Sequence, residues 1–195
     1  MQLSEIHKGH LLIATPEIDS GIFFRTVILI CEHSDKGSLG VIINKSIDLI
    51  MPSELLEIQA VLNPNLTFCA SGPMQTNQLL LLHSEADKVE ESLTSNGAQN
   101  TLEICEGVYL GGDLSFLQKS AIDTDGPYLK LCFGYAGWGP QQLEKEFSSG
   151  SWLLHPAKAS HVFQVSPEEL WRQLLREMGG RYAMLSMIPD NLSLN

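Results

Sequence analysis

Residues 128–135 alternate, with Leu129, Leu131, Phe133 and Tyr135 directed one way and Tyr128, Lys130, Cys132 and Gly134 the other. That two-residue period predicts a strand with one strongly apolar face. Shorter apolar runs at 11–14, 26–31, 39–43, 66–70 and 79–82 predict one strand each, and 102–110 predicts one or two. The runs at 26–31 and 39–43 flank a polar turn at 32–37 and predict a hairpin with a longer loop. Residues 161–165 predict a further strand.

Helical spacing appears in fewer places. Leu55, Leu56 and Ile58 mark a helix over 53–61, broken by Asn63-Pro64-Asn65. Asp113 is placed to cap a helix carrying Leu114 and Leu117. Ser166-Pro167-Glu168-Glu169 has the form of a capping box with proline at the first helical position. The helix it opens runs towards Met178 with Leu170, Trp171, Leu174, Leu175 and Met178 on one face, and Gly179-Gly180 ends it. Residues 84–100 are more polar and predict a surface segment, and the tail after Pro189 predicts a frayed end. Locally paired strands with helices between some of them predict an α+β fold rather than a doubly wound parallel sheet.

The chain is organised around 134–152. Gly134, Gly137 and Gly139 punctuate a tight turn after the alternating strand. Gly139 is then a candidate N-cap and Pro140 a first helical residue. Gln142, Leu143, Glu146 and Phe147 share one side of a short helix that Gly150 stops. A glycine-rich turn feeding a helix can cradle an anion. Here the glycines run in the reverse of the dinucleotide order, no Walker lysine follows, and Glu144 and Glu146 would repel a phosphate, which favours a structural turn. Tyr135, Trp138 and Trp152 either fill core or wall a cleft at the strand end.

Size and charge narrow the function. The 195 residues suit one domain spanning 1–195. The formal net charge is −11, and the 12 lysines and arginines are scattered rather than clustered. Affinity for nucleic acid comes largely from cations on phosphates, so direct nucleic-acid binding is not expected, nor is binding to an anionic membrane. No apolar run approaches the ~20 residues of a membrane span, and the N-terminus lacks the pattern of an export signal. A cytoplasmic protein is expected. Cys31, Cys69, Cys105 and Cys132 lie in or beside apolar runs without a C-x-x-C pair, predicting buried reduced thiols.

Candidate chemistry is sparse. There is no G-x-S-x-G and no H-E-x-x-H. Ser71, followed by Gly72-Pro73, reads as a turn serine. The six histidines have no companion cysteines at zinc-like spacing, so neither metal nor cofactor is expected. Glu32-His33 and His83 sit at strand ends, where proton-transferring groups can lie. Cys31 is close to Glu32 and His33, but its apolar run points to an inert thiol.

Four blocks carry a family resemblance. They are Gly9-His10-Leu11-Leu12-Ile13-Ala14-Thr15-Pro16 with Phe24-Arg25-Thr26-Val27 and Glu32-His33; Leu39-Gly40-Val41-Ile42-Ile43-Asn44; Ser71-Gly72-Pro73-Met74 with Leu82-His83; and Gly134-Tyr135-Ala136-Gly137-Trp138 through Leu143-Glu144 and Trp152. In this order they resemble the AlgH/YqgE-like family of bacterial proteins over nearly the whole chain. The resemblance implies an α+β fold with a bifurcated mixed or antiparallel sheet, partly curled into a small barrel and surrounded by helices. It also implies a bacterial cytosolic protein. Some members carry a transcriptional-regulator label, but the family has no agreed activity. The chain departs from the family at Ser71 and Gln141, where glycine is usual, and after Ile188, where the small-residue ending is missing.

Glycines, prolines and aromatics dominate the shared blocks, and such residues shape surfaces more than they move protons. The leading expectation is a non-catalytic regulatory or interaction protein binding a small molecule or peptide. Its cleft residues would be Asn44, Gly72, Pro73, His83, Tyr135, Gly137, Trp138 and Gln142, with Glu32 and His33 as secondary candidates. An enzyme using Glu32, His33 or His83 is one alternative. A direct DNA-binding regulator is another, disfavoured by the acidic charge.

Overall fold

The structure, a computed structural model, describes residues 6–47, 63–85 and 101–189. The expected helix over 53–61, the tail after Pro189 and most of the polar segment at 84–100 lie outside the described residues. The described strands are β1 (His10–Ala14), β2 (Val27–Ser34), β3 (Gly37–Ile42), β4 (Leu66–Ala70), β5 (Met74–His83), β6 (Leu102–Cys105), β7 (Val108–Leu110), β8 (Leu129–Trp138) and β9 (Trp152–Pro156). The helices are α1 (Leu114–Ala121), α2 (Gln142–Ser148), α3 (Ala159–Phe163), α4 (Pro167–Met178) and α5 (Gly180–Leu185).

The strands form one mixed sheet in the order β6-β7-β5-β8-β3-β2-β1-β9, with β4 attached to β8 off that path. The fold is α+β, its sheet bifurcated, largely antiparallel and curled into a half-barrel with helices around it. The fork lies within β8. Leu129 to Phe133 pair with β4 in parallel and with β5 antiparallel, whereas Ala136 to Trp138 pair with β3.

Gly134 makes that fork possible. Its φ of +74° belongs to the left-handed region, and a Cβ there would meet the Gly72 carbonyl oxygen at 2.6 Å. Gln75, Thr76, Asn77 and Gln78 of β5 bulge out between the pairs Met74–Tyr135 and Leu79–Phe133, opposite this one glycine. The bulge also reverses the strand's alternation. Leu129 and Leu131 belong to a cluster with Leu81 and α1, and Cys132 to the main core. Past Gly134 it is Tyr135 that packs on the main core, while Ala136 and Trp138 enter a separate cluster. Tyr135 therefore does not share a face with Leu129 and Leu131, as uninterrupted alternation predicts.

β1, β2 and β3 are buried on both faces, so they read as continuous apolar runs. Leu11, Ile13, Val27, Leu29 and Val41 pack against Leu170, Trp171, Leu174 and Leu175 of α4. Leu12, Ile28, Ile30 and Ile42 pack against Leu143 and Phe147 of α2 and Trp152 of β9. Each fully buried aliphatic side chain contributes about 1.5–3 kcal/mol. The Trp171 indole also donates to the Ala14 carbonyl at 2.8 Å, tying α4 to the end of β1.

Several elements differ from the sequence reading. The β2–β3 hairpin closes tightly, with Ser34 paired to Gly37 across Asp35-Lys36 rather than through a longer loop. The strand expected at 161–165 is absent: Ala159–Phe163 form α3 and Gln164 caps its end; His161 and Val162 are buried together, and a short apolar run cannot distinguish the two periods by itself. β9, which pairs with β1, and α5, which begins at Gly180, had no predicted counterparts. Asp113 does cap α1, accepting the Phe116 N–H at 2.7 Å. Ser166 makes no side-chain cap bond, so the capping box is not closed; Glu169 pairs with Arg176 instead. Cys31, Cys69 and Cys132 are buried free thiols and Cys105 is half-buried. Burial first, with Cys69 nearby, pushes the Cys132 thiol up to about 12, which leaves it protonated and unreactive.

Gly72 has the least room of these backbone positions. Its φ is +151°, and a Cβ would sit 2.1 Å from the Tyr135 carbonyl carbon. Gly72→Ala is expected to destabilise the fold by about 3–4 kcal/mol. Gly21→Ala, at φ +75° with nothing within 4 Å, should cost only about 1–2 kcal/mol. Urea denaturation of the two variants reads the difference, and equal midpoints would refute the close approach.

Candidate functional site

The expected tight turn does not begin at Gly134: β8 continues through Gly137 to Trp138, paired with β3, and ends in a packed corner. Trp138 and Trp152 meet edge to face, ring centroids 6.3 Å apart, and both indole N–H groups donate to Glu146 Oε2 at 2.9 Å. One carboxylate oxygen thus satisfies two buried donors. Gln142 Nε2 holds the other oxygen at 3.0 Å, and Gln142 Oε1 accepts the Gly139 N–H at 3.1 Å. The helix starts later than expected. Gln142 N–H closes a turn onto the Gly139 carbonyl at 3.1 Å, with Pro140 second in that turn and Gln141 third at φ +60°. Proline in second place and positive φ in third characterise a type II turn, which explains why glycine suits position 141. Gly139 is not the N-cap, and Pro140 precedes the helix.

The remaining sequence-nominated residues divide among several places. Gly72 lies under the Tyr135–Ala136 peptide, Pro73 is exposed beside it, and Tyr135 is half-buried. Gly137 and Gln142 are exposed around the packed Trp138. His83 is fully buried, stacked on Tyr109 and tilted against Phe116. Glu32 is exposed. His33 Nδ1 lies 2.8 Å from Ser38 Oγ, and its Nε2 lies 3.9 Å from Glu144 Oε1. The structure brings Gly72, Pro73 and Tyr135 together, and Gly137, Trp138 and Gln142 together. Asn44 and His83 stand apart from both groups.

Asn44 frames a cavity. Its Oδ1 accepts the Val27 N–H at 2.7 Å and its Nδ2 donates to the Arg25 carbonyl at 2.9 Å, joining the end of β3 to the start of β2. The cavity has a volume of about 420 Å³ and is lined by Phe24, Arg25, Asn44, Lys45, Ser46, Pro167, Glu168, Trp171 and Arg172. Lys45 Nζ donates to the Phe24 carbonyl at 2.9 Å. Arg25 Nη2 donates to the Ile188 and Pro189 carbonyls at 2.8 and 2.6 Å, and its guanidinium lies 4.9 Å from the Trp171 ring centre. Arg172 Nη1 donates to the Ser186 and Ile188 carbonyls at 2.6 and 3.1 Å. Burial first, then the charge of Arg25, holds the Lys45 ammonium below its ordinary pKa.

A profile of the AlgH-like family matches residues 11–183. The chain belongs to the AlgH-like family. A UPF0301 protein of Chlamydia abortus is 50% identical over 190 residues, covering 97% of this chain and 96% of that protein. A UPF0301 protein of Cytophaga hutchinsonii is 33% identical over 192 residues, covering 96% and 98%. Among solved structures, the AlgH protein of Pseudomonas aeruginosa is 28% identical, with a TM-score of 0.65 and coverage of 94% and 95%. A Corynebacterium diphtheriae protein at 22% identity has a TM-score of 0.74 over 96% and 95%, a likeness of fold. The departures of this AlgH-like chain now have places. Ser71 is fully buried and donates to the Ile42 carbonyl at 2.9 Å, and Gln141 occupies the left-handed turn residue.

Arg25, Lys45, Trp171 and Arg172 were missed as site residues by sequence reasoning. They lie far apart along the chain, and only Arg25 falls in a family block. A useful signal would have been Phe24-Arg25-Thr26 and Asn44-Lys45 read together across the β2–β3 pairing. Among the described residues no group of His, Cys, Asp and Glu side chains could hold a metal ion. No helix among them is long and apolar enough to cross a membrane.

Removing the carboxylate of Glu146 leaves two buried indole donors without an acceptor. Glu146→Ala is expected to cost about 2–4 kcal/mol in chemical denaturation, and Glu146→Gln, which keeps one acceptor oxygen, about half of that. If the alanine and glutamine variants were equally stable, the shared acceptor would not matter.

A second electrostatic cluster gives the fold a pH dependence. His161 Nε2 lies 3.2 Å and His155 Nε2 3.9 Å from Glu177 Oε2. Burial holds His161 below the ordinary value of 6.5 despite the pull of Glu177. Its native form is neutral, so on acidification the unfolded chain takes up this proton first. That contribution is complete above 6.5 and is lost as pH falls below it. Burial pushes the Glu177 carboxyl up, but the hydrogen bond from Gln173 and the attraction of His161 outweigh it and leave it below 4.5. Its contribution is complete above 4.5 and is lost as pH falls through the lower folded value. Melting temperature should therefore fall in two steps between about pH 8 and pH 3, and His161→Phe should flatten the upper step. An unchanged upper step in that variant would assign it elsewhere.

Proposed function

We propose that this chain is a non-catalytic regulatory or interaction protein, acting as one domain in the cytoplasm, that holds a small molecule or peptide in the cavity beside Asn44. The supporting observation is the cavity itself: about 420 Å³, with polar and aromatic walls drawn from the start of β2, the end of β3 and the first turns of α4. That volume falls within the ordinary range for small-molecule sites. Asn44 is the sequence-nominated residue that lines it. Gly72, Pro73, Tyr135, Gly137, Trp138 and Gln142 do not line it; they shape the β8 fork and its corner. Such a cleft offers hydrogen bonds, charge and rings.

An enzyme reading has one observation behind it, the hydrogen bond between Ser38 and His33 with Glu144 3.9 Å beyond it. Its geometry has the order of a nucleophile, a base and an orienting carboxylate. Ser38 is only 9% exposed, and it does not line the Asn44 cavity.

Native mass spectrometry of protein purified from its own cells tests both. A bound small molecule or peptide is expected, and it should be lost from Ser46→Trp, which plugs the cavity from its exposed rim, with the melting temperature preserved. A ligand-free protein, or equal retention by the plugged variant, would overturn the cleft. A bound species recovered chemically altered by the wild-type protein but intact from His33→Ala would move the conclusion to the enzyme reading.

A further inference from the structure

We infer that Lys45 forms a reversible imine with a small carbonyl compound, an aldehyde or ketone, bound in the Asn44 cavity. This rests on the cleft reading above and names the ligand class and the atom that holds it.

The first support is where the amine sits. Lys45 is half-buried and lines the hollow with Phe24, Asn44, Ser46 and Trp171. Its Nζ donates to the Phe24 carbonyl at 2.9 Å, so the amine is anchored on another residue of the same wall. Among the described residues no carboxylate forms an ion pair with it, Glu168 of that wall included. A carboxylate partner would hold the nitrogen as an ammonium ion. A carbonyl acceptor serves the neutral amine equally well.

The second support is that the surroundings favour that neutral form. Burial first, then the charge of Arg25, keeps the Lys45 pKa below its ordinary 10.5. Desolvation and a neighbouring cation are what turn a lysine into a nucleophile. Arginine does not release its proton in proteins, so Lys45 is the basic residue of this wall able to react. Arg25 and Arg172 are engaged with the Ile188 carbonyl and take no part in the bond.

Other lysines mark the contrast. Lys130 is also buried, and its Nζ donates to the Ile43 carbonyl at 3.2 Å, but it does not line the hollow and has no space for a ligand there. Lys8, Lys36 and Lys119 are exposed and lie away from the hollow. Lys45 combines desolvation with an adjoining space of about 420 Å³, which admits a small organic body against the Phe24 and Trp171 rings.

The step balances without a co-reactant. The Nζ lone pair attacks the carbonyl carbon, a C–N bond forms, and the C=O π pair moves onto oxygen. Both protons of the neutral amine leave with that oxygen as water, and C=N remains. Nothing is oxidised or reduced. Hydrolysis reverses the step, so the ligand is held rather than consumed.

The test is reductive trapping of the full chain with limiting salicylaldehyde and sodium cyanoborohydride near neutral pH, followed by peptide mass spectrometry. Lys45 should carry about tenfold more label than Lys8, Lys36 or Lys119, and its labelling should level off at a lower pH than theirs. Lys45→Arg, which keeps the charge, should remove one adduct from the intact mass. Ser46→Trp should protect Lys45 while the exposed lysines label as before, and it carries the test alone if Lys45→Arg does not fold. Label at Lys45 no greater than at the exposed lysines, or undiminished in Ser46→Trp, overturns the inference. A native ligand retained by wild type and lost from Ser46→Trp, without preferential trapping at Lys45, would leave the cleft standing while ruling out the imine. Native-ligand retention unaffected by Ser46→Trp would remove the cleft and, with it, this inference.

Discussion

The structure depends on one steric constraint, the close passage of two backbone segments, 72–76 and 134–136, at Gly134. β8 must pair with β4 and β5 over its first half and with β3 over its second. No strand can turn from one set of partners to the other without leaving its pleat. Gly134 leaves it by adopting a conformation that a side chain would resist, while Gly72 lies flat beneath the next peptide. Bulges of this kind increase local twist and re-aim the following residues. Here the consequence is that Ala136 and Trp138 enter the α2 cluster and Tyr135 turns to the main core. The half-barrel and the two-sided burial of β1 to β3 both follow from that switch.

The tryptophan corner is the second consequence. Once Trp138 is directed beneath α2, its indole N–H is out of water and needs an acceptor. Glu146, one turn after Gln142, provides it and serves Trp152 in the same way. The spacing of Gln142, Leu143, Glu146 and Phe147 is therefore a packing device: two apolar residues face in, and two polar ones close the turn behind them. Glycines and aromatics that suggest a pocket in sequence form, in three dimensions, a joint between strand and helix.

How much could be read from the sequence follows from the range of each signal. Local chemistry was legible: the Asp113 cap, the apolar face of α4, the strand character of β1, β4 and β8, and the buried cysteines all depend on nearby residues. Residues 161–165 were misread as a strand because a short apolar run fits either period; the helix lies at Ala159–Phe163, with His161 buried against α4. β9 was missed because an edge strand pairing on one side needs little pattern of its own, and its partner β1 is about 140 residues away. The site behaved likewise. Asn44 could be picked out because it ends a strand, whereas Arg25, Lys45 and Arg172 have no common spacing and meet only after β2, β3 and α4 are assembled.

That assembly bears on what an acidic chain can do with few cations. Two of the three cations lining the hollow converge on the carbonyls at the end of the described chain, and the third bonds the Phe24 carbonyl. Backbone acceptors left over where elements end are thus met by side chains from other elements. These cations act first as joints between segments distant in sequence, which is why no local pattern marks them.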